Sequence, residues 1–167
     1  MKMAVFSDSH KNIRLLGQAL ETAFAQGASM LVHLGDHYSD LDALDCRDAI
    51  VYRVPGLPNV DSVPPGVEAF ARFAFLGQNI FALHDREKLP AEGRSPEITL
   101  VLYGHTHMAD CSRCENGVWY LNPGHLKAPM DRDMPASFAL LRAEEGGLIG
   151  DFLSPEGKLL FSRALSA

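Results

Sequence analysis

The chain has 167 residues, of which 47% are hydrophobic and 22% are charged. This composition excludes a largely disordered chain. The length predicts one domain over residues 1–167 with a sizeable core. The net charge of −6 at pH 7, with no run of Lys and Arg, argues against binding to a nucleic-acid backbone. No apolar run is long enough to cross a bilayer, so we expect no membrane contact. The N-terminus turns polar too early for a secretory signal and cysteines are sparse, so we expect a cytoplasmic protein.

The first half of the chain has the pattern of a parallel α/β unit. Residues 3–6, 30–34 and 50–54 are short apolar runs that predict buried strands. Between the first two runs, apolar residues recur at near-helical spacing over residues 13–24 and predict a helix that ends at Gln26-Gly27. Strand, helix and strand in this order predict the start of a parallel sheet.

The second half of the chain predicts hairpins and an antiparallel sheet. Residues 71–75 and 80–83 flank a turn at Gly77, residues 98–103 form another apolar run, and Asn116-Gly117 is a strong signal for a second hairpin. Three further short strands are predicted at residues 137–141, 148–153 and 158–165. We therefore expect a mixed sheet arrangement that becomes antiparallel toward the C-terminus.

Seven side chains that could bind a metal follow these apolar runs, each where a strand is predicted to end. Because the carboxyl ends of strands in an α/β sheet form its ligand-binding edge, we expect them to converge. Carboxylate, amide and imidazole groups suit Mn, Fe, Co, Ni or Zn. Seven ligands exceed the needs of one tetrahedral ion and fit two ions that share a carboxylate. The seven residues are Asp8, His10, Asp36, Asn59, His84, His105 and His107.

These motifs resemble those of the calcineurin-like metallophosphoesterases. The matching segments are Asp8-Ser9-His10, Gly35-Asp36, Asn59-Val60-Asp61, His84 and Gly104-His105-Thr106-His107. The short chain and the Asn122-Pro123-Gly124 segment are similar to the small YfcE-like phosphodiesterases, which are relatives of Vps29. The resemblance implies a four-layer α/β/β/α sandwich with two mixed sheets.

The resemblance also implies a dinuclear site for two divalent transition-metal ions, with manganese expected first and iron, nickel, cobalt or zinc as alternatives. One ion would be held by Asp8, His10 and His107, the other by Asn59, His84 and His105, with Asp36 bridging both. The implied reaction is hydrolysis of a phosphodiester-containing small molecule by in-line attack of a metal-bridging hydroxide. Asp36, Asn59 and His105 are the implied catalytic residues.

Two positions depart from the family pattern. Val60 stands where larger relatives carry a His that helps to protonate the leaving group, so we expect slow expulsion of alkoxide leaving groups. His84 is followed by Asp85 and Arg86, whereas the small family has His-Gly-His at this motif. We expect Arg86 to lie at the rim of the site, where its guanidinium would contact a substrate phosphate.

Other interpretations stay open at this point. The relationship to Vps29 makes a protein-binding scaffold with vestigial or weak hydrolase activity the main alternative, and a phosphomonoesterase is a third. Taken singly, Asp8 and Asp36 would be ordinary turn or helix-capping residues. Cys111 and Cys114 form a single C-x-x-C pair, which favours an incidental pair over a zinc site. The oligomeric state is undefined, and a homo-oligomer is compatible with the sequence.

Overall fold

Two mixed β-sheets lie face to face in the computed structural model, which describes residues 1–57 and 63–165. The first sheet comprises β1 (Lys2–Phe6), β2 (Ala28–His33), β3 (Ile50–Arg53), β11 (Phe138–Glu144), β12 (Gly147–Leu153) and β13 (Leu159–Leu165). Their spatial order is β13–β12–β11–β1–β2–β3. The strands β1, β2 and β3 are parallel, and β11, β12 and β13 join them in antiparallel pairs, as the sequence predicts.

The second sheet has five strands in the order β4–β5–β6–β8–β7. They are β4 (Phe70–Phe75), β5 (Gln78–Leu83), β6 (Leu100–Leu102), β7 (Asp110–Arg113) and β8 (Trp119–Asn122). Both predicted hairpins are present as the antiparallel pairs β4–β5 and β7–β8. In contrast, β6 is parallel to both β5 and β8. The carboxyl ends of β5 and β6 therefore lie at one edge of this sheet.

One α-helix, α1 (Ile13–Ala25), connects β1 to β2 within the described residues. The Asn12 side chain accepts a hydrogen bond from the backbone N–H of Leu15 (3.1 Å), which caps the first turn. The apolar side of the helix, including Leu16 and Leu20, is fully or almost fully buried against the first sheet. The helix thus has the extent that its apolar spacing predicts.

The predicted four-layer sandwich is confirmed, with one difference in its outer layer. Alternate residues of β1 divide between two cores: Met3 and Val5 pack between the sheets, and Ala4 and Phe6 pack under α1. A third core on the outer face of the second sheet includes Leu89. This face is covered by two 3₁₀ turns, Arg86–Lys88 and Ala91–Arg94, rather than by an α-helix.

One element has no counterpart in the predicted strands. A short antiparallel ribbon of β9 (Met130–Asp131) and β10 (Met134–Pro135) lies between β8 and β11 in the chain. Its strands are only two residues long, too short for a period of alternation to be recognised in the sequence. Among the described residues, no helix is long and apolar enough to span a bilayer.

The packing of α1 leads to a stability prediction. Leu16 is fully buried on the side of α1 that packs against the first sheet, so Leu16→Ala should lower the free energy of unfolding by about 2–5 kcal/mol through lost burial and a residual cavity. Leu159, which is 54% exposed on β13, offers a matched control. The same substitution there should change stability by only about 0.5 kcal/mol. Urea denaturation of both variants tests this, and equal losses would contradict the packing described.

Candidate metal centre

The predicted ligands meet where parallel strands of both sheets end. Asp8 and His10 follow β1, Asp36 follows β2, His84 follows β5, and His105 and His107 follow β6. Ligand atoms of Asp8, His10, Asp36 and His107 all lie within 4.8 Å of one another. His84 joins this group through Asp36, and its ring centroid lies 5.2 Å from that of His105. Asn59, the seventh predicted ligand, lies outside the described residues.

The Asp8 carboxylate uses one oxygen for the protein and leaves the other unpartnered. Its Oδ2 accepts hydrogen bonds from the Ser7 hydroxyl (2.5 Å) and from the His105 backbone N–H (2.9 Å). Its Oδ1 has no hydrogen-bond partner, although Asp8 is fully buried, and lies 3.2 Å from His107 Nε2. A buried carboxylate oxygen normally has a partner, so this atom is suited to a cation.

Asp36 lies between two histidines, with a different oxygen toward each. Its Oδ2 is 3.3 Å from His10 Nε2, and its Oδ1 is 3.4 Å from His84 Nε2. The His84 Nδ1 lies 2.7 Å from the Leu34 carbonyl oxygen, an acceptor, so Nδ1 carries the proton and donates it there. In the neutral ring, Nε2 then presents a lone pair to the Asp36 carboxylate, an arrangement that a bound cation would stabilise.

The unpartnered atoms test whether these residues fit a metal ion. In the part of the chain that the structure describes, four buried side-chain atoms lack a hydrogen-bond partner. Three of them are the Asp8 Oδ1, Asp36 Oδ1 and His84 Nε2 atoms that face other predicted ligands. Buried polar groups without partners are costly. Their convergence, with oxygen and nitrogen donors of the appropriate types, fits a site for divalent cations.

Backbone strain accompanies this arrangement. Positive φ angles occur at five of the six described ligands, a conformation that costs free energy in residues other than Gly. The five are Asp8 (52°), His10 (47°), Asp36 (45°), His105 (67°) and His107 (64°). Such strain is found where the surrounding structure holds a chain segment in a functional geometry.

The electrostatic environment keeps Asp8 ionised. Burial alone would raise the pKa of Asp8, but the nearby imidazoles of His107 and His84 and the Ser7 hydroxyl hold it below its usual value. Burial would lower the pKa of His107, but the adjacent carboxylates of Asp8 and Asp131 raise it. A cation that binds His107 Nε2 therefore has to displace a proton when the pH is below this pKa.

Comparison with known proteins identifies the family. A profile of the calcineurin-like phosphoesterase superfamily domain matches residues 1–146. The chain belongs to this superfamily. The superfamily is named for phosphoesterases and uses divalent metals, which agrees with the donor set described above. No curated protein matches the sequence.

Solved structures of small superfamily proteins share the fold. YfcE, a phosphoesterase from E. coli, is 20% identical with a TM-score of 0.72 over 99% of this chain and 100% of that one. Vps29 from Entamoeba histolytica in complex with Zn²⁺ is 18% identical with a TM-score of 0.67 over 99% and 100%. An archaeal phosphodiesterase is 17% identical with a TM-score of 0.65 over 92% and 100%. At these identities the likeness shows the fold.

In this superfamily member, two glycines allow the carboxylates to approach the chain closely. A Cβ atom on Gly56 would lie 2.3 Å from Asp36 Oδ1. One on Gly104 would lie 2.0 Å from the Ser7 hydroxyl oxygen and 2.7 Å from Asp8 Oδ2. Even the smallest side chain at either position would therefore displace a predicted ligand. Neither role is predictable from the sequence alone, although Gly104 lies in a family motif.

A buried hydrogen-bond network connects the loops after β1 and β2. The Ser9 hydroxyl donates to Asp40 Oδ2 (2.7 Å) and lies 3.0 Å from His33 Nε2. The backbone N–H of Gly35 donates to His33 Nδ1 (3.3 Å), so His33 carries its proton on Nε2 and donates it to Ser9. The network fixes the segments that carry Asp8 and Asp36.

Asp131 is a site residue that the sequence analysis missed. It lies on β9, and its Oδ2 accepts a hydrogen bond from His107 Nδ1 at 2.5 Å. Lys127 Nζ donates to the other oxygen (3.2 Å). This fixes the His107 tautomer with Nε2 toward Asp8. The hydrogen bond from His107 is the main reason why the pKa of Asp131 falls to about 2. No sequence pattern relates an aspartate on so short a ribbon to a histidine 24 residues away.

The structure also shows where the remaining predicted residues lie. Arg86 is exposed, and its Nη1 is 3.3 Å from the Tyr103 hydroxyl. Together with His105 and Arg132 it lines a recess of about 300 Å³. Cys111 is buried and Cys114 is exposed, and both are free cysteines.

A metal-affinity prediction follows from Gly56. Gly56→Ala should displace the Asp36 carboxylate and reduce Mn²⁺ affinity by more than tenfold, because a metal ligand loses its position. Gly150→Ala is the matched control, since a Cβ there meets its nearest neighbour at 3.5 Å, an ordinary contact. Competition against a metal-sensitive chelator measures both affinities. Unchanged affinity in Gly56→Ala would show that Asp36 has no part in metal binding.

Asp131→Asn provides a separate prediction. The substitution removes the anionic acceptor of His107, and loss of such a partner typically reduces metal affinity by roughly 10–100-fold. Asp133→Asn changes the same residue type at an exposed position next to the ribbon and should leave the affinity unchanged. Isothermal titration calorimetry with Mn²⁺ measures both. Equal affinities for the two variants would contradict the assigned role of Asp131.

Proposed function

We propose that this protein hydrolyses phosphodiester bonds at a dinuclear metal centre. The observation that carries the proposal is the Asp36 carboxylate, whose two oxygens face the Nε2 atoms of His10 and His84 at 3.3 and 3.4 Å. A single carboxylate flanked in this way suits the shared ligand of two ions. The superfamily assignment supports the same chemistry.

The residues divide into two sets around Asp36. Asp8, His10 and His107 would hold the first ion, and His84 and His105, together with Asn59, would hold the second. When bound, divalent ions such as Mn²⁺ supply Lewis-acid activation of water and neutralise charge on the phosphoryl oxygens. Fe, Ni, Co and Zn are alternative metals, since the donor set is compatible with all of them.

The other residues of the site position these groups. Asp131 holds the proton on His107 Nδ1, which leaves Nε2 free as a ligand atom. The His105 backbone N–H fixes Asp8 Oδ2 and leaves Oδ1 free. The Leu34 carbonyl does the same for the His84 ring. The ligand atoms are thus oriented by the protein before any ion binds, which reduces the cost of ordering them on binding.

The charges of the recess beside His105 favour a diester over a monoester. Arg86 and Arg132 line it, but Asp85 and Glu87 do so as well. Formal positive and negative charges therefore balance there. A phosphomonoester at neutral pH carries up to two negative charges, and a site with additional net positive charge would suit it better. The single charge of a diester needs no such excess. Arg86 remains our candidate for a contact to a substrate oxygen.

A scaffold function is the second candidate. Several solved structures with this fold are Vps29 proteins. Two methionines near the candidate centre, Met108 and Met130, are more than half exposed, and exposed methionines adapt well to protein partners. In that case the metal ions would shape the surface rather than act on a substrate.

A combined metal and activity measurement tests the proposal. Elemental analysis should find about two ions per chain after loading with Mn²⁺, and the protein should hydrolyse bis(p-nitrophenyl) phosphate in preference to p-nitrophenyl phosphate. Asp36→Asn should reduce hydrolysis by more than the roughly 10–100-fold typical of losing a partner of a metal ligand. The exposed Asp48 serves as a matched control in the variant Asp48→Asn.

The alternatives give different results in the same measurement. Bound metal without hydrolysis of either ester would favour the scaffold function. Faster hydrolysis of the monoester would identify a phosphomonoesterase. One ion per chain, with full activity in Asp36→Asn, would contradict the dinuclear site.

A further inference from the structure

A second recess, of about 380 Å³, has His84 in its wall. Its walls are mainly apolar and come from the segments on either side of residues 58–62 and from the strands and turns of the second sheet. The apolar residues that line it include Leu57, Val63, Ala69, Phe70, Leu83 and Pro90. His84 lines this recess and also faces Asp36, so one side chain borders both the recess and the candidate metal centre. The proposed mechanism does not use it.

Phe70 gives this recess an aromatic wall held in a fixed position. Its ring stacks on that of Phe81, with centroids 4.8 Å apart and an angle of 23° between the planes. Phe81 is fully buried in the outer core of the second sheet. Phe70 is also directly opposite Leu83 in the β4–β5 pair. Phe70 itself is only partly buried, so part of its ring is available to a ligand.

The charges at the recess do not select a charged ligand. Lys88 and Asp85 are the only charged residues among the described lining residues, and their side chains lie 3.9 Å apart. Their formal charges cancel. The formal charges also balance in the recess on the His105 side, but that recess has four charged lining residues instead of two. A pocket with apolar walls and an available aromatic ring is suited to a flat apolar group.

We propose that this recess binds an aromatic group carried by one ester arm of the substrate, so that the substrates are phosphodiesters with an aromatic substituent. The inference rests on the proposed phosphodiesterase function. A diester bound at the metal centre has two arms, and the arm on the His84 side enters the recess directly. A ring stacked on Phe70 gains contact with a rigid partner and buries apolar surface. An aliphatic arm would gain the burial without the stacking.

Two substitutions at Phe70 separate these contributions. Phe70→Ala should raise the KM for bis(p-nitrophenyl) phosphate by about two- to tenfold, as expected for loss of an aromatic pair, and change kcat less. Phe70→Leu keeps the apolar wall and removes the ring, so it should raise KM as well. Phe161→Ala is the matched control, because Phe161 stacks on Phe152 in the first sheet, away from the recess. Thermal unfolding of each variant reports whether the fold is intact.

A binding measurement makes the test independent of catalysis. We expect p-nitrophenol to shift the methyl NMR signals of Val63 and Leu83 in metal-free protein more than cyclohexanol does at equal concentration. If no ester is hydrolysed but these shifts occur, the proposed reaction fails and the aromatic recess stands. If hydrolysis occurs but KM is unchanged in Phe70→Ala and the shifts are absent, this inference alone fails. A normal KM in Phe70→Leu with equal shifts for both alcohols would identify an aliphatic group instead.

Discussion

The position of the Asp36 carboxylate between His10 and His84 is the constraint on which the rest of the site depends. The two histidines belong to different sheets, since His10 follows β1 and His84 follows β5. If both Nε2 atoms are unprotonated, each presents a lone pair to a carboxylate oxygen of Asp36. Neither contact is then favourable. Divalent cations bound there would remove this unfavourable arrangement and would link residues of the two sheets at their shared edge.

The protein maintains this geometry through several independent supports. The buried hydrogen-bond network of Ser9, His33 and Asp40 fixes the loops after β1 and β2. Gly56 leaves room for Asp36 at a distance that no side chain would permit. These supports explain how a strained, partly unpartnered set of groups persists inside an otherwise well-packed structure: the surrounding hydrogen bonds and packing over-determine its position. The same rigidity benefits either proposed function, because a substrate and a protein partner both recognise a preformed surface.

The sequence predicted the elements whose patterns are long or chemically distinctive. The strand β1, the helix α1 and the Asn116-Gly117 hairpin were recognisable from periodicity and turn residues. The described ligands were predictable because each follows an apolar run, and the carboxyl-edge rule then brings them together. The sequence did not predict Asp131, because a two-residue strand has no period and its contact with His107 exists only in three dimensions. The 3₁₀ turns over the second sheet were not predicted for a similar reason. Leu89 is buried just after the first turn and Gly93 is buried within the second, and isolated buried residues leave no recognisable pattern.

The short ribbon that carries Asp131 has a consequence for how fast metal ions exchange. Two antiparallel strands of two residues each make few backbone hydrogen bonds, so such a segment opens locally far more often than the sheets on which the other ligands are mounted. Each opening withdraws the acceptor from His107 and lets its imidazole rotate away from Asp8. The residence time of an ion bound by His107 would then depend on the dynamics of a surface ribbon, although the buried core defines the equilibrium geometry.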